Sequence, residues 1–275
     1  MACGPGVSRI GLRLNPIPMK ATVFLSLIAM LLPLSAQTKP PSADGKPAAG
    51  KADLMPNQKA FLNLPEEKRK EWAKHLIEAN RIFQQKRIFE TTEEIDKAVA
   101  IFKDSPELYN LRGSCYVEMR AFDKAMIEFQ TAADLAKDNP NIEFNIGEVL
   151  FVTKQWQKSA DLFEKVLKDL PADKTSLARL VEFKIMLCKL KLGKIDEVNT
   201  LAGKHDELDD SPYYYYAKAA LAFEKDDPNK AEEWLQMAGR IFRDPASTAP
   251  WKDTLVEYGY IKGLYVNDVK EPDEK

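Results

Sequence analysis

The chain has 275 residues, 30% of them charged, with 40 basic and 42 acidic side chains and a formal net charge of −2. This slightly acidic balance excludes general nucleic-acid binding, which depends on Lys and Arg neutralising phosphates. Two histidines and three cysteines leave little material for a zinc site or for nucleophile–base catalysis.

From Met19 the sequence has the three parts of a secretory signal peptide. Lys20 is a short positive n-region, residues 21–32 form an apolar h-region, and Pro33, Ser35 and Ala36 supply a helix break and small residues before a cut at Gln37. Residues 1–36 are therefore expected to be removed, with Met1 and Met19 both candidate starts. A permanent anchor is the alternative reading, but the apolar run of about 16 residues falls short of the roughly 20 that a spanning helix needs. No stable membrane span is expected after cleavage, which places the mature chain in the periplasm or outside the cell. Cleavage takes away Arg9, Arg13 and Lys20 and no carboxylate, so the mature net charge is −5. Residues 37–60, rich in Pro, Ala, Gly and Lys, read as a disordered linker. A helical domain over 61–262 follows, with order beginning near Phe61 or Leu64, because Pro65, Glu66 and Glu67 suit the first turn of a helix. Residues 263–275 form a charged tail.

Between linker and tail the pattern is all-α. Apolar residues recur at three- and four-residue spacing, Gly and Pro fall between segments, and no period-two run marks a strand. The pattern predicts ten helices in five hairpins, over about 66–102, 105–137, 140–170, 173–205 and 211–242. A final helix is expected from near Pro250 to about Tyr260.

The hairpins repeat. Gly113, Tyr116, Phe122, Ala125, Phe129 and Ala132 are matched in order by Gly147, Leu150, Trp156, Ser159, Phe163 and Val166, at a constant step of 34 in the numbering. A fixed period of this length implies stacked supersecondary units rather than one globular core. The step from Ala79 to Gly113 is again 34; that from Gly147 to Met186 is 39, and from Met186 to Ala219 it is 33. The fourth unit must therefore hold an extended first helix, a longer loop near Pro171 to Thr175, or both. Its Met186 and Val198 stand where small residues belong, so a wider helix crossing is expected there.

This pattern resembles the tetratricopeptide repeat (TPR) over about 66–242. The resemblance implies a right-handed α-solenoid of about five antiparallel hairpins, with the helix that carries Trp251, Leu255 and Tyr258 capping the stack. The run Arg240–Phe242 followed by Trp251–Glu257 is also similar to exported bacterial repeat proteins. Small residues permit close helix crossings, so Gly113 is expected to face Ala125, and Ala132 the next hairpin.

By the same resemblance, first helices build a concave groove. Its walls are expected to be Asn80, Phe83, Asn110, Ser114, Phe144, Glu148, Phe151, Phe183, Tyr213, Tyr216 and Phe223. Some family members grip a peptide carboxylate with Lys and Asn; here Leu76, Asn80, Asn110 and Ser114 stand at those places, and the missing lysine argues against such a clamp. An aromatic groove suits an extended peptide or an amphipathic helix. Two states stay open: a free groove, or one filled by the final helix. If the groove is free, serine at Phe144 and Phe151 abolishes partner binding and leaves folding intact.

Chemistry is sparse. His75 lies on a packing face, and His205 at a helix end, where it complements the dipole. Cys115 and Cys188 sit in first helices two units apart and read as buried free thiols. The stretch Asp206–Asp210 reads as a solvated loop with a helix cap and lacks the ligand spacing of a calcium loop. No metal or cofactor is expected. Tyr213–Tyr216 point four ways round a helix, with Tyr215 in the core. The expectation is a non-catalytic scaffold for a protein partner, the alternative a glycan or small-ligand carrier at the tyrosine-rich fifth unit.

Overall fold

The computed structural model describes residues 54–262. The expected signal peptide, most of the linker and the tail lie outside these residues. Among them, twelve helices follow one another: α1 Pro56–Leu62, α2 Glu66–Gln84, α3 Ile88–Ile101, α4 Pro106–Glu118, α5 Phe122–Leu135, α6 Pro140–Val152, α7 Trp156–Asp169, α8 Thr175–Lys191, α9 Ile195–Ala202, α10 Tyr213–Glu224, α11 Pro228–Ile241 and α12 Pro245–Tyr258. Helices α2 to α11 form the five hairpins that the sequence period predicts. Each packs on its partner and on the next hairpin, giving an all-α solenoid.

The hairpin turns share one chemistry. The chain enters the left-handed region at Lys86, Arg120, Lys154, Gly193 and Asp226. The next residue's N–H returns to a carbonyl in the last turn of the helix: Arg87 to Ile82, Ala121 to Tyr116, Gln155 to Leu150, Lys194 to Lys189 and Asp227 to Ala222. That bond closes a Schellman motif and satisfies carbonyls that a helix end leaves open. Successive turns step through the numbering by 34, 34, 39 and 33, as the packing positions do. The longer fourth unit is now explained. Helix α8 has 17 residues against 13 in α4 and α6, and the loop before it, 170–174, is also longer than the corresponding 136–139.

Small residues sit where helices touch. Ala79, Ala98, Ala125, Ala132, Ala219, Ala231 and Ala238 are fully buried. A side chain on Gly113 would meet Phe129, so the nearest neighbour of Gly113 is that ring, one turn beyond Ala125. In the third unit the Ser159 hydroxyl, at the place of Ala125, donates to the Gly147 carbonyl at 3.0 Å.

Both ends depart from expectation. Order begins at α1 rather than near Phe61: Phe61 packs on Trp72 and Phe102, at 4.7 and 5.2 Å between ring centres, and covers the first hairpin. The Asn57 amide donates to the carbonyls of Asp104 and Leu135, tying α1 to the second hairpin. Helix α12 starts at Pro245 rather than near Pro250. Asp244 caps it by accepting from the Ala246 N–H at 3.0 Å, and proline is pre-set for a first helical position.

Cys115 and Cys188 are buried free thiols. Burial pushes each thiol up to about 12, far above the usual range. The expected result is that at pH 8 neither reacts with a disulfide reagent in the folded protein and both react in guanidinium, since the thiolate is the nucleophile. Peptide mapping after timed labelling measures this; rapid labelling of Cys188 in the folded chain would contradict the packing of α8.

Candidate functional site

Helix α8 is the centre of the site. Its run Leu177–Leu190 is mostly apolar and mostly buried, and of the five charged residues on the helix Glu182, Lys184 and Lys189 are themselves buried. A helix hydrophobic all round must be enclosed, and α7, α9, α10 and α12 surround it. The inner helices touch along the stack, α2 on α4, α4 on α6 and α8 on α10, while α12 packs against both α6 and α8. The inner helices α6 and α8 are therefore covered by the chain's own final helix, whose Trp251 also reaches Tyr213 and Tyr216 on α10.

Aromatic contacts fix α12 in place. The Trp251 ring lies 5.4 Å from Phe183, 6.2 Å from Tyr213 and 5.8 Å from Tyr216. Two helical turns on, Tyr258 lies 6.2 Å from Phe151 and 5.5 Å from Trp156. Beyond the helix end, where Gly259 takes a φ of 99°, Tyr260 stacks on Phe223 at 5.1 Å and its hydroxyl donates to Glu224 at 2.6 Å. Aromatic pairs in such geometries add about 0.5–1.5 kcal/mol each beyond the area they bury.

The polar centre is a lysine between carboxylates. Lys184 Nζ sits 3.0 Å from Glu148 Oε1 on α6, 3.6 Å from Glu257 Oε2 on α12, and 4.8 Å above the Phe151 ring. All three charged side chains are almost fully enclosed. The attraction to Glu148 is mainly Coulombic, that oxygen being poorly aligned for a hydrogen bond. Burial works against the Lys184 ammonium, but Glu148 and Glu257 more than offset it and hold its pKa above the usual lysine range. Burial pushes the Glu148 carboxyl up and raises Glu257 to about 7, Lys184 pulling the other way and Glu148 and Asp253 adding repulsion at Glu257. A void of about 10 Å³, lined by Phe144, Leu180, Lys184 and Pro250 among others, is the space left at this seam. That is room for about one water and no larger ligand.

The eleven residues expected on the groove wall are therefore not an open surface. Phe83, Asn110, Ser114, Phe144, Glu148, Phe151, Phe183, Tyr213 and Tyr216 are buried; Asn80 and Phe223 are half-buried. Phe144, Glu148, Phe151, Phe183, Tyr213, Tyr216 and Phe223 gather around α12 and its end. Asn80, Phe83, Asn110 and Ser114 lie in the first two units, away from it. There Asn145 donates to Asn110 at 2.8 Å and Ser114 to the Asn110 carbonyl at 3.1 Å. Serine at Phe144 or Phe151 would unsettle the fold, contrary to the expectation from a free groove. The tyrosine row is packed as well. Tyr213 donates to the Leu201 carbonyl at 2.8 Å, Tyr214 and Tyr215 pack on Trp234, and Tyr216 donates to the Thr248 carbonyl of α12 at 3.4 Å.

His205 does more than complement a helix dipole. Its Nε2 lies 2.7 Å from Glu182 and its Nδ1 3.4 Å from Asp209, with the ring 4.7 Å from Tyr213. Burial disfavours the Glu182 carboxylate, yet Lys204 and His205 hold its pKa below the usual range. Asp209, read from sequence as a solvated loop residue, also pairs with Arg179 at 3.2 Å. Among the described residues no group of His, Cys, Asp and Glu has metal-site geometry, and no helix is long and apolar enough to cross a membrane. Lys184, Glu257 and Glu182 escaped the sequence reading. The signal for Glu182 and Lys184 was charge inside the largely apolar stretch of α8, which calls for partners on other helices; Glu257, on α12, had no such local signal.

Solved structures share the architecture. The 41-end form of MamA from Desulfovibrio magneticus RS-1 is 17% identical, with 63% of this chain and 96% of that one covered, at a TM-score of 0.51. PilF from Pseudomonas aeruginosa is 13% identical, with 70% and 97% covered, at 0.50. YrrB, described as a TPR protein with an unusual peptide-binding site, is 20% identical, with 72% and 96% covered, at 0.48. The fold is a TPR-like solenoid. No family model matches the chain, and no curated protein matches it. At these identities the likeness speaks for fold alone.

Proposed function

We propose that the protein is an exported, non-catalytic scaffold that recognises a protein segment, peptide or helix, on its concave face. The observation that carries this reading is the occupied groove. Most of the expected wall residues surround a helical segment, α12, which meets them with Trp251, Tyr258 and the carboxylate of Glu257 and so indicates what kind of object the surface fits. TPR-like solenoids generally serve as protein-interaction scaffolds, and export rests on the signal-like segment from Met19. The small-ligand alternative gains no support: the tyrosine faces are covered by Trp234, Phe242 and Trp251, and the seam void holds no more than a water.

The test is photocrosslinking in cells. A benzophenone amino acid at Asn80 or Lys252, on the inner side, is expected to trap a protein partner, whereas the same group at Phe89 or Ile127, exposed on second helices, is expected to trap none. Crosslinks from Phe89 and Ile127 alone would move the interface to the outer layer. Mass spectrometry of the exported chain is expected to find Gln37 at its N-terminus.

A further inference from the structure

Helix α12 is an imperfect occupant of its groove. Its Glu257 brings a second buried carboxylate to a Lys184 that already faces Glu148. Its Tyr258 hydroxyl is buried with the Tyr260 side chain beside it and no well-aligned hydrogen bond, an arrangement that is costly for a polar group. Its Pro250 lies inside the helix and removes the N–H that would bond to the carbonyl of Ala246. The void at the seam lies against the same proline. The helix is also set off from the hairpins by its connections. Only residues 242–244 join it to α11, and Gly259 ends it in the left-handed region.

We infer that α12 is an exchangeable stand-in, and that the groove over α6, α8 and α10 receives a partner helix of defined pattern. This rests on the scaffold reading above and names its ligand. The pattern is two aromatic residues two helical turns apart, at the places of Trp251 and Tyr258, with a neutral polar residue directly before the second. The neutral residue follows from charge. Lys184 and Glu148 already balance, so a carboxylate there leaves an excess negative charge and a lysine an excess positive one. Burying an uncompensated charge is strongly unfavourable.

The groups that face Glu257 are Lys184 on α8, Glu148 on α6 and Asp253 one turn earlier on α12. A carboxyl whose docked pKa lies above its free value binds its proton more tightly when docked. Docking is thus strongest below the ordinary glutamate range and weakens as pH rises through about 7. A neutral competitor has no such dependence, so mild alkali favours exchange.

The experiment uses the full chain and a labelled peptide of residues 245–260 carrying Glu257→Gln and Tyr258→Phe. Saturable binding by fluorescence polarisation is expected, at least fivefold tighter at pH 8 than at pH 5.5. Amides of α12 should lose hydrogen-exchange protection as the peptide binds. A Gly/Ser insertion after Arg243 alters no buried side chain and lowers the effective concentration of α12, so it should tighten peptide binding at least tenfold. Two control peptides, one with Glu257→Lys and one with alanine at Trp251 and Tyr258, should fail to bind. No binding to the insertion variant, or binding with α12 still protected, would overturn the exchange. If crosslinks from Asn80 or Lys252 persist in that case, the scaffold reading stands without it.

Discussion

Replacing Lys184 with methionine is expected to destabilise the protein at pH 8 by about 3–5 kcal/mol, the usual penalty for removing one partner of a buried ion pair. For a domain of this size that is a drop in Tm on the order of 10 °C. The magnitude comes from what stays behind rather than from the lost attraction. Glu148 and Glu257 would face each other across a seam with room for about one water, and among the described residues neither has another cation within ion-pair distance. Little solvent reaches Glu257, and even with Lys184 in place that burial raises its carboxyl to about 7. Without the ammonium both carboxyls can dock only with protons on them. The defect should therefore shrink towards pH 5 and grow through pH 7 and above. The triple variant Lys184→Met, Glu148→Gln, Glu257→Gln removes all three of these charges and should recover most of the loss. Thermal melts by circular dichroism at pH 5 and pH 8 provide the comparison. A Lys184→Met melt equal to wild type at pH 8 would mean that the cluster is solvated and that α12 does not seal the groove.

The contrast between the hairpins and the groove shows what a repeat sequence can encode. A period is a statement about packing positions, and packing positions recur because helix crossings recur. Hence Ala79, Gly113, Gly147, Met186 and Ala219 anticipated the spacing of the left-handed turns at Lys86, Arg120, Lys154, Gly193 and Asp226, and the long step from Gly147 to Met186 located the long α8. The period also identifies which side of each first helix faces inward. It contains nothing about what lies on that side, because the occupant belongs to no repeat. Trp251 and Tyr258 carried a trace of it, being large aromatics two turns apart on a helix after the last hairpin. Lys184 carried another, a charge in an apolar helix whose partners, Glu148 and Glu257, belong to distant parts of the chain. Long-range pairings of this kind leave no local pattern. The loop acids failed for the same reason: Asp209 reads as a cap through Ser211, while its contacts with Arg179 and His205 depend on where α8 comes to rest.

Gly113→Leu is expected to cost more than about 2 kcal/mol through overpacking, and the structure extends that expectation to alanine. A single Cβ at Gly113 would stand 2.5 Å from Phe129 Cε1, and one at Gly147 would stand 2.6 Å from Phe163 Cε1. Those distances are inside van der Waals contact, so the ring or the helix must move. Neither is free to do so: Phe129 is 1% exposed and Phe163 fully buried. Gly113→Ala and Gly147→Ala should each cost about 1–3 kcal/mol. Ordinarily the same change inside a helix is favourable by roughly 0.5–1 kcal/mol, and Gly239 on α11 supplies that control, since a Cβ there meets nothing within 4 Å. Gly239→Ala should thus stabilise where Gly113→Ala destabilises. Pairing Gly113→Ala with Phe129→Leu makes room at the contact, so the double variant should be less damaged than the sum of the single ones. Urea unfolding of these variants measures all of the signs at once. If Gly113→Ala and Gly239→Ala shift the midpoint alike, helix propensity rather than the close crossing governs Gly113, and the packing register drawn from the repeat is wrong. Opposite signs tie the repeat period to one physical cause, an aromatic ring of the second helix lying against a bare backbone of the first.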